Sequence, residues 1–398
     1  MTTEHHPGRP APMDNGDPAA RPAAHDLGPY ADLVQAARKA GRVGWARGSA
    51  NVTRDEALAA LATPIAGSGP IDLQRGRTWK HEDIVAQELS WSAGYGPRTE
   101  AFLYRPQRAS GRTPAVLALH DHGLFKYYGK EKIADGPDGP AEGMAEYRSV
   151  YYGGRPYALD LARAGFVVLV HDAFSWGSRR FPRAVMTGEE QPSAAGPTPT
   201  TDRAALPLDV EAYNQAAILY EHLIEKYCRL LGTSYAALIA HDDRVALRAL
   251  LSLPEVDDQR VGCIGLSGGG GRAAMLRACS KSVGATVIVG MMCGYEHLLT
   301  SHVRPHSWLF FPDKLPAACD WPDLAACAAP EPLLVQYDRD DELFPLAGMQ
   351  AADAKLWAIY DRLGAPQNYR GSFYPGPHKF DRAMQADAFL WLAERLQP

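Results

Sequence analysis

The chain is poor in the features that announce a metal site, a membrane span or a nucleic-acid partner. Its six cysteines among 398 residues form no C-x-x-C pair and no zinc-type spacing. They read instead as buried free thiols of a reducing compartment. No window approaches the roughly 20 consecutive apolar residues that cross a bilayer. The N-terminus, rich in proline, alanine and charge, lacks the apolar core of a secretory signal. The formal net charge is −5, with no long basic run, so there is no electrostatic footprint for nucleic acid. These absences point to a cytoplasmic protein with no membrane or nucleic-acid partner.

What is present is an α/β pattern. "AVLALH", "GFVVLVHD", "RVGCIGLS", "GATVIVGM" and "PLLVQYD" are short, nearly continuous apolar runs, the signature of strands buried on both faces of a parallel sheet. Helical periodicity separates most of them: "PYALDLARA", "GRAAMLRACS", "GMQAADAKLWAIYDRLG", and a long stretch from Asp209 that continues through "DDRVALRALLSL". Upstream, "DIVAQELSWSA" and "RTEAFLYRP" read as an antiparallel pair. A last strand, "YRGSFYP", precedes the closing helix. Alternation of this kind predicts a doubly wound sheet. Residues 1–28 read as a disordered tail and 29–78 as an N-terminal helical extension, with Thr53 capping its second helix. The main domain is placed at 79–398. Within it the proline-rich stretch 178–208 follows a strand at the carboxyl edge and reads as a lid-like insertion.

The stretch "VGCIGLSGGGGRAAMLRACS" sets one hydroxyl, Ser267, where a strand gives way to a helix, among glycines. Gly265 to Gly269 fits G-x-S-x-G, the sharp turn that presents a nucleophilic serine above a helix N-terminus. A phosphate loop would require Gly-Lys-Ser/Thr after the glycines, and none follows. A serine needs a base, and in this strand–turn–helix context the acid and histidine come later in the chain. "YDRDDELFP" ends a strand with Asp338, Asp340 and Asp341 as candidate acids, and the position before Leu343-Phe344-Pro345 favours Asp341. "FYPGPHKF" supplies His378 on the loop before the last helix. Two amides must receive the oxyanion, each contributing roughly 3 kcal/mol. Gly268 follows the nucleophile, and the second donor is expected in "HDHGLFKYYGKEK", at Gly123 or Leu124. His120 and His122 have no third ligand at a fitting spacing, so no metal is expected. They read as supports of the hole or as substrate contacts. Aromatics near the carboxyl edge (Phe125, Tyr127, Trp176, Tyr295, Trp308, Phe310 and Phe311) divide between core and pocket. His122, Phe125, Trp176 and Tyr295 are taken as pocket candidates. His297, His302 and His306 read as surface or hydrogen-bonded residues.

Together "LHDHGLFKYYGKEK", "HDAFSWGSRR", "LPEVDDQRVGCIGLSGGGGRAA", "DDELFP" and "GPHKF" resemble the acetyl xylan esterase-like and dienelactone hydrolase-like branch of the α/β-hydrolase superfamily, over about residues 80–398. The resemblance implies an eight-stranded, mostly parallel sheet with helices on both faces. It also implies Ser267, Asp341 and His378 as the triad, and Asp172 with Arg179 as a structural pair behind it. A serine esterase acting on a small ester or lactone without a cofactor follows from it. Acyl transfer, thioester cleavage, C–C hydrolysis or a non-catalytic binding module remain the rival readings, and a homodimer is left open.

Overall fold

In the computed structural model, residues 25–47, 52–61, 69–108, 111–188 and 210–397 are described. Most of the expected N-terminal tail, and residues 189–208 of the proline-rich insertion, lie outside them. The strands are β1 (Gln74–His81), β2 (Ile84–Trp91), β3 (Thr99–Pro106), β4 (Thr113–Leu119), β5 (Val167–His171), β6 (Val256–Leu266), β7 (Ala285–Val289), β8 (Leu333–Asp338) and β9 (Tyr369–Tyr374). The helices are α1 (Leu33–Lys39), α2 (Arg54–Leu61), α3 (Met144–Tyr151), α4 (Tyr157–Arg163), α5 (Arg183–Thr187), α6 (Val210–Leu230), α7 (Tyr235–Leu251), α8 (Gly268–Cys279), α9 (Tyr295–Leu298), α10 (Leu315–Ala318), α11 (Trp321–Ala326), α12 (Leu346–Arg362) and α13 (Arg382–Leu396).

All the described strands join one sheet in the order β1-β2-β3-β5-β4-β6-β7-β8-β9. The pairs β1/β2, β2/β3 and β3/β5 are antiparallel and the rest are parallel. Nine strands replace the eight expected. The additional one, β1, is an almost wholly exposed edge strand of sequence QRGRTWKH, without the apolar alternation that marks a half-buried strand. It begins at Gln74, so the boundary drawn after residue 78 falls inside a strand.

Strand β4 shows how the two cores form. Ala115, Leu117 and Leu119 enter one cluster with α7, α8 and α11, whereas Val116 and Ala118 enter a second with α4 and α13. That is the period-2 consequence of covering both faces of a sheet. The long helical stretch after Asp209 is two helices. The break falls at Gly232, which adopts φ +72°, and at Ser234, whose hydroxyl caps α7 by accepting from the Ala237 N–H.

Helix α2 packs on the main body. Thr53 and Glu56 form a reciprocal capping box at the start of α2. Ala57, Ala60 and Leu61 join the first core. Arg54 donates to the Arg277 and Ser280 carbonyls at the far end of α8, 2.8 and 2.6 Å away. A cation on those carbonyls complements the helix dipole. All six cysteines are free, four of them buried. No helix among the described residues is long and apolar enough to cross a membrane.

Candidate active site

Because β4, β6, β7, β8 and β9 are parallel, the loops after them gather at one edge of the sheet. Ser267 sits between β6 and α8 with φ 56° and ψ −120°, a conformation costing on the order of 1–3 kcal/mol. Its own N–H donates to the Val289 carbonyl at 2.8 Å, and its carbonyl accepts from Gly271 at 3.0 Å. The glycines around it are required by contact. A Cβ on Gly265 would lie 2.4 Å from the Gly269 carbonyl, and one on Gly269 would lie 2.2 Å from the Leu119 carbonyl oxygen. Helix α8 could not start so close to β4 and β6 with larger residues there. At Gly271 the nearest atoms are 3.5 Å away, so the fourth glycine of the run is not dictated by close approach.

His378, on the loop between β9 and α13, makes a 2.6 Å hydrogen bond from Nδ1 to Asp341 Oδ2. Register explains the meeting: Asp338 of β8 pairs with Tyr374 of β9, so the loops leaving both strands start side by side. The other two carboxylates have different work. Asp340 accepts the Gly376 N–H at 2.8 Å, and Asp338 accepts the Lys379 N–H at 3.1 Å. The imidazole lies over Gly290, where an added Cβ would be 3.1 Å from its Cε1. Gly290 directly follows Val289, the residue holding the Ser267 N–H, so the ring and the serine are neighbours on one rim. No hydrogen bond joins Ser267 to His378 among the described residues. Catalytic contacts of this kind commonly close only with substrate bound.

Burial disfavours a charged His378, but the hydrogen bond and charge of Asp341, with Asp338 and Asp121 beyond, outweigh it and raise the pKa above the ordinary 6.5. A base must be neutral to accept the serine proton. Activity should therefore be present at high pH and lost as pH falls through a midpoint above 6.5. A profile of kcat/KM against pH measures that limb, and a midpoint below 6.5 would contradict the arrangement.

The amide of Gly268 opens the helix, where N–H groups lack intrahelical partners. A Cβ on Gly268 would be 2.8 Å from the backbone nitrogen of His122, so those two residues face each other. Leu124, offered by the sequence as second donor, is turned elsewhere: its N–H donates to His122 Nδ1 at 3.2 Å. Gly123 adopts φ 55°, and a Cβ there would strike the Tyr147 hydroxyl and the Asp121 carboxylate. That carboxylate is buried and also accepts from the Tyr152 hydroxyl at 2.5 Å. Lys132 donates to the carbonyls of Asp121 and His122, both at 2.9 Å, and Arg272 of α8 to that of His120 at 2.9 Å. The β4 loop is thus tied down from several sides.

Of the pocket candidates, Phe125 is half-buried beside Tyr128 and Tyr147. Trp176 and Tyr295 are 1% and 5% exposed. Trp176 packs on His120, His122 and Tyr235, and the Tyr295 hydroxyl donates to the Phe310 carbonyl. Both stand behind the site, which corrects their assignment to the pocket. The implied Asp172–Arg179 pair is not formed. Asp172 meets Lys130 at 2.8 Å, while Arg179 forks onto Asp242 of α7 at 3.0 and 3.3 Å. The resemblance implied one pair where the fold makes two. His306 stacks on Phe310 and Phe344 and bonds the Leu343 carbonyl; burial pushes its pKa down to about 4.

Asp338, Asp341 and His378 present ligand atoms within 4.8 Å of one another, the spacing a cation would need. The short Asp341–His378 bond already occupies the geometry. The residues fit an acid–imidazole relay better than a metal set. His120 and His122 belong to no such group among the described residues.

Residues that the sequence reading missed include Glu221 and Lys126, both buried beside His122. Glu221 falls within an amphipathic helix, where a carboxylate reads as solvated, and nothing in its spacing signals burial.

No family model matches the chain. A protein of Bacillus subtilis (strain 168) named "Putative hydrolase YtaP" is 22% identical over 302 residues, which is 76% of this chain and 85% of that protein. Among solved structures, a glucuronoyl esterase from Solibacter usitatus superposes with a TM-score of 0.58 at 14% identity, over 86% of this chain and 92% of that one. Acetyl xylan esterase 1 from Thermoanaerobacterium sp. JW/SL YS485 gives 0.52 at 16% identity, over 90% and 98%. The likeness and the strand order establish the α/β-hydrolase fold.

Proposed function

We propose that the protein is a serine hydrolase that cleaves a carboxylic ester or lactone of a small molecule through an acyl-enzyme. The reading is carried by the 2.6 Å bond from His378 to Asp341, set on the same rim as a serine held in a strained strand-to-helix turn. His378 takes the Ser267 proton as the hydroxyl oxygen attacks the carbonyl carbon. Asp341 holds the ring so that Nε2 faces the reaction and stabilises the imidazolium that forms. The oxyanion receives the Gly268 and His122 N–H groups, the latter in place of the Leu124 amide, which the His122 ring engages. His378 then protonates the departing alkoxide, and water, activated by the same imidazole, releases the acid. Every step is a proton transfer or an acyl transfer, so no cofactor takes part. The names of the relatives, a hydrolase, a glucuronoyl esterase and an acetyl xylan esterase, support ester hydrolysis over thioester cleavage or acyl transfer.

A substrate panel tests this. p-Nitrophenyl acetate, an acetylated xylo-oligosaccharide, a small lactone and an acyl thioester are compared by kcat/KM. The carboxylic esters or the lactone should lead. Turnover confined to the thioester, or appearing only with an added alcohol acceptor, would overturn the reading.

A further inference from the structure

We infer that Glu221 is a positioning residue of the oxyanion hole, acting through the side chain of His122; this rests on the hydrolase reading above. Glu221 lies on α6 between the exposed Leu219 and Leu223, yet it is itself 3% exposed. Four donors fill its carboxylate. Oε2 accepts from His122 Nε2 at 3.1 Å and from Lys126 Nζ at 2.9 Å. Oε1 accepts from the Ser307 hydroxyl at 2.6 Å and the Trp308 N–H at 3.0 Å. A single carboxylate thereby joins the β4 loop, α6 and the segment before Leu309. It belongs to none of the three catalytic side chains.

The bonds have a direction. His122 Nδ1 accepts from the Leu124 N–H, so the proton of a neutral ring is on Nε2 and is donated to Glu221. Burial holds His122 below its ordinary pKa and keeps it neutral. Burial opposes the Glu221 charge as well, but Lys126 and His122 outweigh it and hold the carboxyl ionised. The ring is therefore anchored at both nitrogens. It pulls the Leu124 amide inward and holds Gly123 and Leu124 at φ 55° and 52°, the latter an unusual conformation for a residue with a branched side chain. With that turn fixed, the main chain of His122 is held against Gly268. On the other side Ser307 accepts from the Leu309 N–H at 3.0 Å.

A glutamine at 221 offers one acceptor oxygen and an NH2 group. It must therefore set a donor against either the His122–Lys126 pair or the Ser307–Trp308 pair. Glu221→Gln should lower kcat for p-nitrophenyl acetate by about 10- to 100-fold, a fraction of what a lost oxyanion donor costs, with KM within about threefold. Because the effect runs through the imidazole, it should nearly vanish once that ring is gone. The double variant Glu221→Gln/His122→Ala should lie within about threefold of His122→Ala alone. Should the buried lysine left by Glu221→Gln prevent folding, the comparison is made with Lys126→Met in every protein, which removes the unpaired charge. An unchanged kcat in Glu221→Gln, or losses that multiply in the double variant, would overturn the inference while leaving the hydrolase reading intact. A wild type that hydrolyses no ester would remove both.

Discussion

Ser267→Ala should lower kcat against p-nitrophenyl acetate by about 10⁵- to 10⁶-fold while leaving circular dichroism and Tm close to wild type. The size follows from what the hydroxyl does. Without it no covalent intermediate forms, and what remains is whatever the oxyanion donors and substrate binding can do for attack by water. The preserved fold follows from the geometry of the turn. Its anchoring bonds, to Val289 and from Gly271, are made by the Ser267 backbone, not by its hydroxyl. Alanine meets the same Cβ cost at φ 56° that serine already bears. A drop of less than about 100-fold would mean that another group carries the reaction.

Asp341→Asn should cost about 10⁴-fold in kcat, because an amide placed against Nδ1 favours the tautomer whose proton sits on the nitrogen facing the serine. The same change removes the hydrogen bond and charge that raise His378. Any residual activity should therefore show its acid limb at lower pH than wild type. The neighbouring carboxylates serve as controls. Asp340 holds an exposed turn through the Gly376 N–H, and Asp340→Asn should change kcat by less than about threefold. Asp338 is buried with one oxygen unpartnered, and burial pushes its carboxyl up to about 7. The oxygen of an amide there can still accept the Lys379 N–H, and Asp338 makes no bond to the imidazole, so Asp338→Asn should cost less than about tenfold. A profile in which Asp338→Asn is the crippling change would reassign the acid.

The residues of the proposed triad could be picked out because each sits where strand order places it: a serine after β6, a carboxylate after β8, a histidine after β9. Apolar runs identify such strands, and glycine marks the tight turn between them. The edge strand β1 was not legible, since its side chains face water and carry no period-2 signal. The second oxyanion donor is proposed two residues before the position that the sequence suggested. The amide of Leu124 follows a glycine, as a donor should, but the His122 ring folds back on it, and no local pattern encodes that bond. Glu221 and Arg272 were missed for a related reason. Both are charges inside helices, and only long-range packing, of α6 on the β4 loop and of α8 on Asp243 and the His120 carbonyl, decides that they are buried. Trp176 was misassigned because an aromatic after a strand can face the pocket or the core, and Lys126 over its ring, 4.3 Å from the centroid, belongs to the core side.

The proposed reaction requires a hydroxyl made nucleophilic by one imidazole. The most direct measurement is peptide mapping by mass spectrometry after exposure of the folded protein to a fluorophosphonate. The adduct should appear on the peptide carrying Ser267, with labelling slowed at least 100-fold by His378→Ala. A folded wild type that stays unlabelled, or an adduct on another residue with Ser267 untouched, would contradict it.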